Sequence, residues 1–177
     1  MKMFILILIV ISGLYIIRKI IIINKRKQFI LERAINPYGV EYLFKQPEID
    51  AYKRGVSFLD QSDYLNAIRE FSFAINSNPA FDEAYYNRGC AYLNLAIKQF
   101  NKKYYKASIR DFSETIKITP NFKEAYINCG TAYFNMHKYK KAIENFEESL
   151  RMDGSIEDDI SVKRFLHIAY EKLNKKG

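Results

Sequence analysis

Few side chains in this 177-residue sequence have the types and spacing that chemistry requires. The histidines are His137 and His167, and the cysteines are Cys90 and Cys129. A zinc site needs His, Cys or carboxylate ligands that converge at short spacing. Neither histidine has such neighbours, so each reads as a surface or boundary side chain on a helix. Two cysteines build neither a disulfide scaffold nor a four-thiolate site, and free thiols, packed or half-exposed, are expected. Glu147-Glu148 and Asp158-Asp159 are adjacent on helices, where neighbouring side chains diverge and cannot share a proton or a metal. The sequence holds no HExxH, no Gly-rich phosphate loop and no GxSxG. It therefore predicts no catalytic residue, no metal and no cofactor, and a protein that is not an enzyme.

What remains is the scaffold. Lys and Arg number 28 against 20 Asp and Glu, a formal charge of +8. Residues 1–33 carry seven cations (Lys2, Arg18, Lys19, Lys25, Arg26, Lys27, Arg33) and one acid, Glu32, whereas residues 34–177 carry 21 cations and 19 acids. The excess is N-terminal, which removes the main support for a nucleic-acid partner. A hydrophobic share of 49% excludes wholesale disorder. Seven glycines and four prolines favour long helices over many turns. Met3 to Ile17 is apolar apart from Ser12 and Gly13, and after Arg18-Lys19 four isoleucines follow; the 21 residues from Met3 to Ile23 would make a helix of about 31 Å, the thickness of a hydrocarbon core. No convincing small-x-small cleavage site follows it. The expectation is a transmembrane anchor with its basic flank at 1–27. Arg18, Lys19, Lys25, Arg26 and Lys27 would hold the rest of a single-pass protein on the cytoplasmic or stromal side, against membrane lipid. Residues 28–47, broken by Pro37 and Gly39, read as a linker.

From residue 48 a pattern recurs three times. Gly55, Gly89 and Gly130 each precede an aromatic by three residues: Phe58, Tyr92, Tyr133. Then come Tyr64, Tyr105 and Tyr139; the small residues Ala67, Ser108 and Ala142; the phenylalanines Phe71, Phe112 and Phe146; another short residue, Ala74, Thr115 or Ser149; and a helix stop, Pro79, Pro120 or Gly154. Small residues let paired helices approach, and the phenylalanines are knobs between them. A unit that cannot bury its own apolar face must stack on the next. Gly89 to Tyr105 spans 16 residues where the equivalents span nine. The seven extra residues are two helical turns within about 20°, so both helices of that hairpin should project, with a tip near Asn101-Lys102-Lys103. The insert is basic (Lys98, Lys102, Lys103, Lys106) and reads as a solvated tip or a docking spur. Asn121 reads as the N-cap of the next helix, with Glu124 as its capping-box acid.

This order resembles the tetratricopeptide repeat, a 34-residue helix–turn–helix. The departures are Ala51 for the leading aromatic, and Arg54, Arg88 and Cys129 for the leucine before glycine. The resemblance implies an all-α solenoid of three units (48–81, 82–122 with the insertion, 123–156). Residues 157–177 follow as a capping helix and tail, with Ile160, Phe165, Leu166, Ala169, Tyr170 and Leu173 at helical spacing and Glu157, Asp158 and Asp159 in its first turn. It also implies a concave face, lined by the first helix of each unit, that binds a protein or peptide client. The partner-binding candidates are Ile49, Tyr52, Lys53 and Val56; Glu83, Tyr86, Asn87, Cys90 and Asn94; and Glu124, Ile127, Asn128, Thr131 and Asn135. Asn87 and Asn128 could grip a peptide backbone, and Tyr52 and Tyr86 could anchor apolar side chains. Family members that clamp chaperone C-terminal carboxylates place Lys, Asn, Asn, Lys and Arg where this chain has Tyr52, Val56, Asn87, Glu124 and Asn128. Only Asn87 matches, so a chaperone carboxylate tail is not an expected partner. The functional expectation is a non-catalytic, membrane-anchored adaptor or assembly factor, similar in layout to the small plastid and cyanobacterial repeat proteins of photosystem I assembly. The alternative is a self-associating scaffold at the membrane surface.

Overall fold

The computed structural model describes residues 46–152 and 160–175. Within them the chain forms α1 (Pro47–Asp60), α2 (Tyr64–Ser77), α3 (Asp82–Gln99), α4 (Lys102–Ile118), α5 (Lys123–Asn135), α6 (Tyr139–Met152) and α7 (Ile160–Asn174). Consecutive helices pair as hairpins, α1 with α2, α3 with α4 and α5 with α6. Each hairpin packs on the next, and α7 lies against α6. The described part is an all-α solenoid.

Each hairpin closes on the same contact. Phe71, Phe112 and Phe146, on α2, α4 and α6, are wholly buried. Their rings press against the facing helix at Gly55, Gly89 and Gly130. A Cβ at Gly55 would stand 2.6 Å from Phe71 Cε1, and one at Gly89 or Gly130 would stand 2.7 Å from the matching ring atom. The recurrent glycine is thus a steric demand of the phenylalanine. A ring with no room to retreat makes Gly130→Ala an overpacking change, with an expected loss of about 1–3 kcal/mol. Urea unfolding followed by circular dichroism checks it, the expected result being a lower midpoint at unchanged slope.

The arginines that replace the usual leucine before glycine are compensated. Arg54 Nε donates to Glu70 Oε2 at 2.8 Å. Arg88 holds Asp111 in a two-pronged bond, Nε to Oδ2 at 2.7 Å and Nη2 to Oδ1 at 2.9 Å, and its Nη1 reaches Ser72 Oγ on α2 at 3.0 Å. Glu70 and Asp111 each sit one residue before the buried phenylalanine. The middle pair is the deeper one, because the α1–α2 hairpin covers it and Asp111 is only 1% exposed.

The middle hairpin takes up its seven extra residues as helix. Its helices have 18 and 17 residues, against 13 or 14 in the other two hairpins. It turns through Phe100 and Asn101, and Asn101 caps α4 by accepting from Lys103 N at 2.9 Å. Asp63 caps α2 in the same way, accepting from Asn66 N at 3.2 Å. Asn121 does not cap α5: the helix begins at Lys123, its N-cap is Phe122, and that cap makes no side-chain bond. His137 is in the turn after α5 rather than on a helix, where its Nδ1 lies 3.0 Å from Tyr139 Oη.

The α7 helix covers the end of the stack. Val162 and Ala169 are buried against α6, and the Phe165 ring meets Phe134 at 5.4 Å and Phe146 at 6.1 Å. Tyr170 Oη donates to Glu147 Oε1 at 2.5 Å. Glu157, Asp158 and Asp159, expected in the first turn of this helix, lie outside the described residues.

The expectation of a single-pass membrane protein is corrected. Among the described residues no helix is long and apolar enough to cross a membrane; the longest, α3, alternates apolar residues with Asn, Arg and Lys. The stretch that carried the expectation, residues 1–27 with Arg18, Lys19, Lys25, Arg26 and Lys27, lies outside the described residues, as do residues 28–45.

Candidate functional site

The first helices of the three hairpins, α1, α3 and α5, carry the candidate residues as one strip. Tyr52, Val56, Tyr86, Asn87, Cys90, Ile127, Asn128 and Thr131 are half-buried, and Lys53, Glu83, Asn94, Glu124 and Asn135 are exposed. None is sealed in the core.

Two cross-unit bonds organise the strip. Asn87 Nδ2 donates to the phenol oxygen of Tyr52 at 2.9 Å, and Asn128 Nδ2 donates to that of Tyr86 at 3.1 Å. The separations are 35 and 42 residues, so the same bond is made twice and differs only by the insertion. Each tyrosine is further wedged between two rings. Tyr52 meets Phe71 at 5.8 Å and Phe81 at 4.9 Å, while Tyr86 meets Phe112 at 6.0 Å and Phe122 at 4.8 Å. The tyrosines are therefore rigid, half-buried pillars between units, each with its hydroxyl bonded to the next unit's asparagine. Burial raises the pKa of both phenols, with help from Glu83 at Tyr52 and from Cys90 at Tyr86. They stay protonated, and their O–H can donate.

The remaining amides are partly spent. Asn94 Nδ2 donates to Cys90 O at 3.0 Å and Asn135 Nδ2 to Thr131 O at 2.9 Å, each one turn back in its own helix. Thr131 Oγ1 donates to Ile127 O at 2.9 Å. The asparagine bonds use an N–H of each amide and fix its orientation, and the amide oxygens stand on the strip as acceptors. Its charged positions are Lys53, Glu83 and Glu124. Glu83 is pushed above the usual carboxylate range by its hydrogen bond with Asp82 and by desolvation.

Neither cysteine is poised for attack. Burial pushes the Cys90 thiol up to about 11 and the Cys129 thiol to about 12, so at neutral pH both are thiols rather than nucleophilic thiolates. Asn128 Nδ2 lies 3.6 Å from Cys90 Sγ.

Sequence reading places all these residues on first helices but misses the Tyr–Asn bonds. The available signal was a tyrosine three before one glycine and an asparagine two before the next, occurring twice. It also misses Arg88, Asp111 and Ser72, which lie behind the strip and fix α1–α2 on α3–α4.

The paired helices, the glycine–phenylalanine contact and the cap define a known architecture. The described helices have the fold of a tetratricopeptide-like solenoid. The family described as tetratricopeptide repeat matches residues 124–155. No curated protein matches the chain. Among solved structures, the array resembles the first tetratricopeptide domain of Spaghetti (RPAP3), bound there to the HSP90 peptide SRMEEVD, at TM-score 0.64 and 19% identity over 73% of this chain and 94% of that one. It resembles the TPR2B domain of yeast Sti1, in a complex with pHsp70, at TM-score 0.60 and 23% identity over 74% and 99%. It also resembles the MamA protein at TM-score 0.64 and 23% identity over 85% and 77%.

Proposed function

We propose that this chain is a non-catalytic adaptor whose tetratricopeptide groove holds an extended segment of a partner protein. The supporting observation is the strip of amide oxygens on α1, α3 and α5. Asn87, Asn94, Asn128 and Asn135 each spend an N–H within the protein, which fixes the amide's orientation and leaves its carbonyl to accept from peptide N–H groups. The structural neighbours that hold chaperone peptides add weight to a peptide ligand. An assembly role would be the special case in which the captured segment belongs to a subunit of a larger complex.

The ligand differs in charge from those peptides. Glu83 and Glu124 oppose a single cation, Lys53, and Tyr52 and Val56 offer no charge where a carboxylate clamp needs one. The preferred segment is neutral or basic. The test is a fluorescence-anisotropy titration of the full-length chain with labelled SRMEEVD and with SRMQQVN bearing a C-terminal amide. The amide peptide should bind at least tenfold tighter. Asn94→Ala combined with Asn135→Ala should weaken it about tenfold, two lost hydrogen bonds at about 0.7 kcal/mol each, without lowering the melting temperature. Tighter binding of SRMEEVD contradicts the charge assignment; a double variant that binds as well as the parent contradicts the groove. Self-association, the other expectation, would appear as a sedimentation mass that rises with concentration.

A further inference from the structure

The tip of the α3–α4 hairpin has no part in the groove, yet it is built at a cost. Phe100 ends α3 with φ 51°, in the left-handed region that glycine or asparagine normally fills at a helix end. A bulky residue is strained there. Its ring is also 88% exposed, and Ile97 one turn earlier is 46% exposed. The equivalent turn residues of the other hairpins, Ser62 and His137, are likewise left-handed but polar. Only the middle hairpin puts a large apolar ring at the apex, and only this one is lengthened.

Charge singles out the same place. The sixteen residues from Leu95 to Arg110 contain five cations and no acid, and the rest of residues 34–177 is left with 16 cations against 19 acids. Lys98, Lys102, Lys103 and Lys106 surround the apex and are exposed. Beneath them the tip is firm. Leu93, Ala96 and Tyr105 are buried, Tyr92 stacks on Tyr104 at 6.2 Å, and Asn101 caps α4.

We infer that this tip is a second docking surface, which inserts Phe100 into an apolar pocket of an acidic protein while the four lysines meet its carboxylates. An apolar anchor ringed by charge is the layout of an interface hot spot, and the lysines would speed encounter and make it salt-dependent. A single-stranded nucleic acid calls for several stacking rings along a basic groove, whereas this knob is convex and has one. A lipid surface calls for a broad apolar face or a second anchor, and the knob supplies two apolar side chains.

The test uses the full-length chain and a fluorescein-labelled peptide of repeated Glu-Glu-Leu as an acidic, apolar probe. Phe100→Gly removes the ring and relieves the left-handed turn, so its melting temperature should equal or exceed that of the parent, and any lost binding cannot be lost folding. It should weaken the probe about tenfold. Lys102→Glu with Lys103→Glu should weaken it further and flatten its salt dependence. Binding of SRMQQVN in the groove should be unchanged in both variants, so the two surfaces stand or fall separately. Equal probe affinity for Phe100→Gly and the parent overturns the inference. So does tighter binding, lost in Phe100→Gly, to phosphatidylserine vesicles or to an oligo-dT strand.

Discussion

Replacing Arg88 by alanine is expected to destabilise the array by about 3–5 kcal/mol, the cost of stranding a buried charge. The figure follows from placement. Asp111 is 1% exposed and takes both of its close bonds from Arg88. Arg110 Nε stands 3.8 Å from the same carboxylate, too far for a hydrogen bond, and its side chain is in solvent. Removing the guanidinium also leaves Ser72 Oγ without its partner on α3 and loosens the first hairpin from the second. Domains of this size are stable by about 5–15 kcal/mol, so the loss is a large fraction of the whole. Two controls separate charge from bulk. Arg54→Ala removes the equivalent arginine of the first hairpin, which is 54% exposed, and should cost no more than about 1 kcal/mol. Arg88→Met with Asp111→Leu removes both charges, leaves none stranded, and should recover most of the loss. Urea midpoints of the four proteins decide it. An Arg88→Ala variant as stable as Arg54→Ala would show that the pair does not bear on stability.

The second large effect belongs to Phe112. Its ring is fully buried between α3, α4 and the Tyr86 pillar, so Phe112→Ala leaves a cavity and should cost about 3–5 kcal/mol. The specific prediction is a coupling. Gly89→Ala alone drives a Cβ to 2.7 Å from Phe112 Cε1 and should cost about 1–3 kcal/mol. Phe112→Leu alone opens space over Gly89. Made together, the added methyl enters the space the ring has left, and the sum of the two losses should shrink by about 0.5–3 kcal/mol. Strict additivity would mean that the glycine is kept for some reason other than the ring above it.

Periodicity made the stack legible because one contact is made three times. Gly55, Gly89 and Gly130 and their phenylalanines recur in register, and the seven-residue insertion keeps that register because seven is close to two helical turns. The ion pairs were not legible. Arg54 and Glu70 are 16 residues apart and Arg88 and Asp111 are 23, so each pair exists only once a hairpin folds back at the right length. Read linearly, Arg54 and Arg88 were merely departures from leucine. The groove was half legible. Spacing placed Asn87, Asn94, Asn128 and Asn135 on first helices, but how each amide is oriented depends on Tyr52, Tyr86 and the carbonyls of Cys90 and Thr131. The tip was placed near Asn101, yet the exposed Phe100 in a left-handed turn could not be seen without backbone angles. Asn121 failed as a cap because the capping preference of a short polar side chain yielded to a helix that starts two residues later.

The central claim is that α1, α3 and α5 present the surface on which a partner polypeptide lies. A photo-crosslinking residue placed in the full-length chain at Asn94, at Asn135 and, on the exposed side of α4, at Lys117 tests it most directly. Irradiation in the cells that make the protein should join a discrete polypeptide to positions 94 and 135, and that adduct should fade with Asn87→Ala and Asn128→Ala. Adducts confined to position 117, or none at 94 and 135, would contradict the account.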